Sequence, residues 1–455
     1  MGDYLELWAW LDRLLDSHIS IFEGHAKQGS AEWLKNKKKI VGGSELASLM
    51  GWNPYTKWNA LLAKKLGLAV PNPPGIACWW GTMFEPVSER ILELHCSTKV
   101  KGTSIHMRYP WLEFHGNSPD GYCVVQFRET EDAWELAHGP KELVSESSER
   151  AYPVPVLIEL KAPYRRLPDG RVPKYYTPQV WSGLCLSTIA VLGLFVEVVY
   201  RLCSFDQLGV GPGYSLDYHR GDKKANNRDR ASWKGAFAWG ATAVYAPKLG
   251  TRKGRLEQGE KLDTETLEAD MVAYKALCEY FGEVVRGEEL GHRYLDLGEL
   301  ADIKPASFDN LMKMIDKKAF KVRHSDPQFA DPEVADRPES LGQFTHRAET
   351  DPALCPEHYY LLGYIPWKVF QVDYHVIHRE DGFIYQIMDL TSRFMGEVEM
   401  LREAEDVARA YSSHCQKKDE LAGKKPKEPK VPKSAMSALF SRVAARAAET
   451  TGRDL

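Results

Sequence analysis

Glu159 and Lys161 lie two residues apart in the apolar run Pro155 to Lys161, PVLIELK. If that run is a strand, both side chains point to one face, and Ile158 and Leu160 point to the other, towards a core. An E-x-K pair can also be a solvated ion pair at a strand edge. The apolar flanks argue against that here, because they carry the pair unusually deep. Asp120 sits in Ser118-Pro119-Asp120-Gly121, a turn from which a strand begins, although Pro and Gly suit turns of any purpose. Glu85 lies on a preceding helix and can reach the same sheet edge; Thr82-x-x-Glu85 also fits a capping box. Gln179 lies on the following helix, where a surface position is the alternative, and the Leu160 carbonyl can supply one further oxygen. Carboxylates gathered beside a lysine suit phosphodiester hydrolysis. That reaction needs a hydroxide in line with the leaving oxygen and positive charge on the phosphoryl oxygens, and two divalent cations held by acidic oxygens supply both. An oxygen ligand set suits Mg²⁺, with Mn²⁺ expected to substitute.

The elements that must position these residues follow from periodicity. Leu5, Trp8, Leu11, Leu15 and Ile19 recur at helical spacing. Ser44 opens SELASLMG as an N-cap, with Gly51 as the stop, and Thr56 to Gly67 repeats that pattern. A longer helix is predicted from Gly81 to Cys96. The stretch HMRYPWLEFHGNSPDGYCVVQF reads as two strands joined by a turn at 117–121. The run at 155–161 is a buried strand, 176–189 a helix and 194–200 another buried strand. The order helix, three strands, helix, strand predicts a compact α/β unit with a central mixed sheet flanked by helices. Residues 204–357 read as a large insertion, with helical character at 264–318. WKVFQVDYHVI reads as a strand, followed by a helix over about 384–410. The expected organisation is an N-terminal helix (1–30), a core (31–203), the insertion (204–357), a returning strand and helix (358–412) and a basic tail (413–455). The tail is expected to be disordered from Gln416, with a short helix at 437–449.

Composition excludes several classes. Apolar residues make up 44% and charged residues 27%, as in an ordinary globular protein. No apolar run reaches the roughly 18 residues of a membrane helix, and the N-terminus does not read as a secretory signal, so an intracellular protein without membrane association is expected. The eight cysteines form no C-x-x-C pair, which argues against a zinc ribbon or a clustered-cysteine iron–sulfur site. The net charge of −4 does not argue against DNA, because DNA binding needs a local basic face rather than a basic protein.

The motifs resemble those of the PD-(D/E)XK nucleases and, more narrowly, the phage lambda exonuclease and YqaJ-type viral recombinase family. The matching stretches are EWLKNKKKIVGGSELASLMGWNPY, WWGTMFEPVSE, GNSPDGY, LIELKAP and YYTPQVWSGL, spanning about 32–200. The resemblance implies a restriction-endonuclease-like core. It also implies a metal site at Glu85, Asp120, Glu159 and the Leu160 carbonyl, with Lys161 acting on the attacking water and Gln179 assisting. It further implies 5′-to-3′ exonuclease action on linear double-stranded DNA, in recombination or repair in a virus or phage. A single-strand annealing protein and further copies of this chain are the expected partners. A structure-specific or nicking endonuclease on the same core, and a non-catalytic DNA-binding scaffold, are the alternatives. A terminal-phosphate pocket is expected from Lys37, Ser44 and Ser118. Lys37 stands where the family usually carries Arg, so it would bind phosphate as a point charge without a bidentate fork.

Overall fold

The computed structural model describes residues 2–23, 30–69, 75–129, 134–138, 151–164, 166–202, 237–247, 320–329, 339–355 and 359–421. They divide between two compact units, Met1–Lys57 with Pro71–Met395, and Trp58–Val70 with Gly396–Leu455.

In the first unit, α1 (Gly2–Ser20), α2 (Ala31–Lys37), β1 (Val41–Gly42) and α3 (Gly43–Leu49) come first. The second unit's α4 (Trp58–Lys65) intervenes, and α5 (Ile76–His95) follows. Then come β2 (His115–Gly116), β3 (Gly121–Glu129), β4 (Trp134–Leu136), β5 (Ala151–Lys161), α6 (Thr177–Leu186) and β6 (Leu192–Leu202). The chain continues through β7 (Ala238–Pro247), β8 (Lys321–His324), β9 (Gln328–Phe329), α7 (Leu341–Thr350), β10 (Tyr359–His378) and α8 (Phe383–Arg402). The second unit closes with α9 (Val407–Leu421).

The main sheet runs β4-β3-β5-β6-β10-β7-β8, with β9 paired to β7. The β5–β6 pair is parallel and the other pairs are antiparallel, so the sheet is mixed, as expected. The apolar alternation of α5 explains its place. Trp80, Phe84, Val87 and Ile91 recur at helical spacing and are buried in one cluster with Val125, Ile158, Val198 and Trp367 of the sheet. Phe84 stacks on Tyr200 with centroids 4.2 Å apart. Each such side chain contributes on the order of 2 kcal/mol through burial. This packing fixes α5 over the sheet, and with it Glu85.

Several sequence expectations are corrected. Of the two strands expected over 106–127, the second forms as β3, but the first does not: Met107 and Asn117 make an isolated bridge, and only His115–Gly116 pairs as β2, in parallel with β1. Pro110 lacks the amide that a continuous strand would need there. Within the stretch 204–357, read as an insertion, β7, β8 and β9 extend the main sheet through β10. Its helical reading at 264–318 lies outside the described residues. The helix containing Glu85 begins at Ile76, so Thr82 is inside it and the capping-box reading falls. Ser44 is likewise not an N-cap, since α3 is capped by Gly42. The helix expected over 384–410 ends at Arg402, and α9 carries regular structure to Leu421, into the expected tail. The reading at 437–449 lies outside the described residues.

In the second unit, Glu397 gathers three donors. Trp58 Nε1 donates at 2.9 Å and Lys418 Nζ at 2.8 Å, and His414 Nε2 lies 3.2 Å away. Burial alone would raise this carboxyl; the bonds from Lys418 and Trp58 outweigh it and hold it below the usual range. Among the described residues no helix is long and apolar enough to cross a membrane.

Candidate active site

β5 delivers Glu159, Leu160 and Lys161 at its C-terminal end, hydrogen-bonded between β3 and β6. Asp120 immediately precedes β3. Its amide donates to the Ile158 carbonyl at 3.2 Å, and its Oδ2 accepts from the Leu160 amide at 2.7 Å. The carboxylate is thereby tied to the strand that carries the other two groups. The tight entry needs Gly121, because a Cβ there would meet Val100 at 2.5 Å. Gln179, in the first turn of α6, donates from Nε2 to Glu159 Oε2 at 2.8 Å. Lys161 Nζ donates to Glu159 Oε1 and to the Leu160 carbonyl, the latter at 2.8 Å, and lies 3.6 Å from Asp120 Oδ2. Glu85 lines a cleft of about 490 Å³, together with Leu160, Lys161, Tyr55, Tyr175 and Tyr176. The structure therefore gathers Asp120, Glu159, Leu160, Lys161 and Gln179 into one bonded cluster, with Glu85 electrostatically coupled to it.

Glu159 is 1% exposed. Burial, then Asp120 and Glu85, push its carboxyl up to about 8 against the pull of Lys161. Burial raises Glu85 as well, reinforced by Asp120 and opposed by Lys161. Burial alone would lower the Lys161 ammonium, but Glu159 and Asp120 outweigh it and hold it above its ordinary value. Beside burial, one imbalance acts in the same direction on all three groups: three carboxylates face one ammonium, so the site retains protons. A hard divalent cation among these oxygens relieves the same imbalance, and the donor set fits one, being wholly oxygen.

The phosphate-pocket candidates are less closely joined. The β1–β2 pairing lays the start of α3 against 117–118, closely enough that a Cβ on Gly43 would fall 2.8 Å from the Asn117 side chain. That brings Ser44 and Ser118 into one region. The Ser118 hydroxyl pairs with His106 Nδ1 at 3.0 Å. Lys37 Nζ lies 4.2 Å over the Trp33 ring. The Glu45 carboxylate already accepts from the Gly42 amide at 3.0 Å, so part of the helix start is occupied by an anion of the chain itself.

Two features were not read from the sequence. Arg166 lines the cleft and donates to Glu197 Oε2 at 3.2 Å; Glu197 is fully buried on β6, opposite Lys161. A lone Glu in LGLFVEVVY was the available signal, since a charge in a buried strand requires a partner. Asn117 donates from Nδ2 to the Gln179 carbonyl at 2.8 Å and to Ser182 Oγ at 3.1 Å, and His115 Nε2 meets the same Ser182 at 2.6 Å. This buried network anchors α6, and so Gln179. It depends on residues 62 to 67 positions apart, which no local pattern reveals.

Residues 32–190 match the YqaJ-like viral recombinase domain, which bears out the resemblance read from the motifs over that span. A protein of African swine fever virus, from a Malawi tick isolate, is 28% identical over 409 residues, covering 90% of this chain and 96% of that protein. Its counterpart from a South African tick isolate of the same virus is 39% identical over 207 residues, covering 45% of this chain and 59% of that protein. Among solved structures, an alkaline exonuclease from Laribacter hongkongensis, LHK-Exo, aligns at 18% identity over 37% of this chain and 74% of its own, with a TM-score of 0.26.

Proposed function

We propose, on the premise that residues 32–190 form a YqaJ-like viral recombinase domain, that this chain is a magnesium-dependent deoxyribonuclease that digests linear duplex DNA from 5′ ends during viral recombination. The observation that carries the reading is the buried Glu159, bonded to both Lys161 and Gln179, with Asp120 beside Lys161 and Lys161 lining a cleft with Glu85. A scaffold gains nothing from such a group, because burying an incompletely neutralised carboxylate costs stability.

Glu85, Asp120, Glu159 and the Leu160 carbonyl would hold the metal. When bound, Mg²⁺ supplies charge to the phosphoryl oxygens and acidifies the attacking water. Gln179 fixes the Glu159 carboxylate through Oε2, leaving Oε1 for the cation or Lys161. Lys161 now rests on Glu159 Oε1 and the Leu160 carbonyl, two of the oxygens a cation would take. Once displaced from them, its ammonium can turn to the scissile phosphate or to the attacking water, as a positioned charge. Lys37, Ser44 and Ser118 would receive the terminal phosphate.

The test uses linear duplexes with a 5′-phosphate or a 5′-hydroxyl, labelled at one end, beside a covalently closed circle. Faster loss of the phosphorylated linear duplex, with the circle intact, is expected. Cutting of the circle would shift the assignment to an endonuclease on the same core, and no cutting of any substrate with Mg²⁺ or Mn²⁺ would overturn the enzyme reading.

A further inference from the structure

Away from the carboxylates, the C-terminal end of α5 holds a second group of metal-ligating side chains. His95 is the last residue of α5 and Cys96 its C-cap, and His138 follows the edge strand β4. One donor atom from each lies within 4.8 Å of the other two. Cys96 Sγ is 3.8 Å from His138 Nδ1. The His95 and His138 rings lie face to face with centroids 4.0 Å apart, and His95 Nδ1 meets the Tyr374 hydroxyl of β10 at 2.7 Å. Ten residues along α5 from Glu85 amount to about 15 Å, so this group is distinct from the proposed nuclease centre.

The geometry points to a second metal centre at His95, Cys96 and His138, taking a borderline-soft divalent cation such as Zn²⁺. Two imidazoles and a thiolate are the ligands such an ion selects, whereas the all-oxygen set at Glu159 selects a hard one, so the two centres sort their ions by chemistry. Tyr374 stands as the outer hydrogen-bond partner that orients a ligating histidine. The rings are parallel to within 6°, so both reach one ion only if a ring turns. His138 is exposed, on the connection after β4, and a change of rotamer there is cheap. Cys96 is 2% exposed and must give up its thiol proton on binding. A fourth position remains for water at the exposed side. The bound ion would staple the end of α5 to the edge strand β4. The competing reading is a purely aromatic cluster, in which Phe237 packs on His95 and Tyr374 on both histidines.

The test uses the full chain, stripped with chelator and then held in excess Mg²⁺ to satisfy the oxygen site, with Co²⁺ titrated as the probe. Expected are a thiolate-to-cobalt charge-transfer band that saturates at one equivalent, intense tetrahedral d–d absorption, and displacement of both by Zn²⁺. Cys96→Ser and His138→Ala should each abolish the charge-transfer band, and Asp120→Asn should leave it unchanged. Zn²⁺ should raise the thermal midpoint of the wild type but not that of His138→Ala. Because His138 is exposed, its variant keeps the test decisive even if Cys96→Ser folds poorly. No thiolate band in the wild type, or a band that survives His138→Ala, would overturn the centre. None of these readouts depends on nuclease activity.

Discussion

At the scale of single residues, charge imbalance sets the expectations. Asp120→Asn and Lys161→Met should each lower single-turnover cleavage by at least about two orders of magnitude, because each removes an electrostatic group that nothing nearby replaces. Rapid-quench assays at saturating enzyme would read this, and near-normal turnover in either variant would refute the assignment. Glu159→Gln should be as inactive, yet its stability is expected to differ in an informative way. The folded carboxyl lies near 8, above its unfolded value, so the metal-free folded state binds the extra proton. Stability from that proton is complete at acid pH and is lost as pH rises from about 4.5 towards 8. Between pH 5 and 8, without metal, the wild type should lose stability relative to Glu159→Gln. Urea midpoints of the two proteins across that range measure the difference, and parallel curves would contradict it. Histidine contributions are common to both proteins and cancel.

Elements carry these residues, and the short β1–β2 pair has more influence than its length suggests. It sets Gly43 against Asn117, and Asn117 holds the α6 carbonyl at Gln179. Asn117→Ala leaves the Gln179 carbonyl and the buried Ser182 hydroxyl short of a donor, at a cost of about 1–3 kcal/mol. Cleavage should fall through the mispositioned Gln179, while duplex affinity measured in Ca²⁺ stays near the wild-type value. A variant with unchanged unfolding and unchanged turnover would show that α6 is held by its apolar packing alone. The same network makes the region sensitive to acid. His115 is fully buried, and burial pushes it down to about 4. The unfolded chain therefore takes up a proton there that the fold refuses, and stability from this group is lost as pH falls below the unfolded value. The loss is about 1.4 kcal/mol per pH unit between 6.5 and 4. Relative to His115→Gln, the wild type should destabilise on going from pH 7 to 5, and equal slopes would count against the burial argument.

At the scale of the whole molecule, the proposed function requires a chain with net charge −4 to bring a polyanion to a site that gathers Glu85, Asp120 and Glu159. Divalent cations reconcile the two. Full chelation should abolish cleavage, Mg²⁺ or Mn²⁺ should restore it, and Ca²⁺ should support duplex binding with little cutting, since its looser coordination relaxes the placement of the phosphate. Retained cleavage in chelator would sink the metal reading altogether. The sheet that supports the site is wider than the stretch 31–203, because β10 pairs with β6 on one side and with β7 on the other. Shortening 204–357 so as to remove β7 would strip the long central strand of a partner, and is expected to lower stability rather than delete a dispensable loop.

The sequence alone determined which residues could form the site and the helices and strands that carry them. E-x-K in PVLIELK must alternate across a strand, SPDG must turn into the next, and the helical spacing of Trp80, Phe84, Val87 and Ile91 must bury one face. These are local rules, with periods of two or about four residues, and they survive any tertiary arrangement. Only the tertiary structure decided the rest. It chose where α5 begins, reduced the strand expected before the 117–121 turn to a bridge and a two-residue pairing, and drew β7, β8 and β9 into the main sheet. It also set Glu197 behind Arg166, Asn117 behind Gln179, and His138 against His95. Each of these outcomes joins residues distant in sequence through burial and hydrogen-bond satisfaction. Those energies depend on which surfaces meet, and a linear pattern of residue types does not encode the meeting.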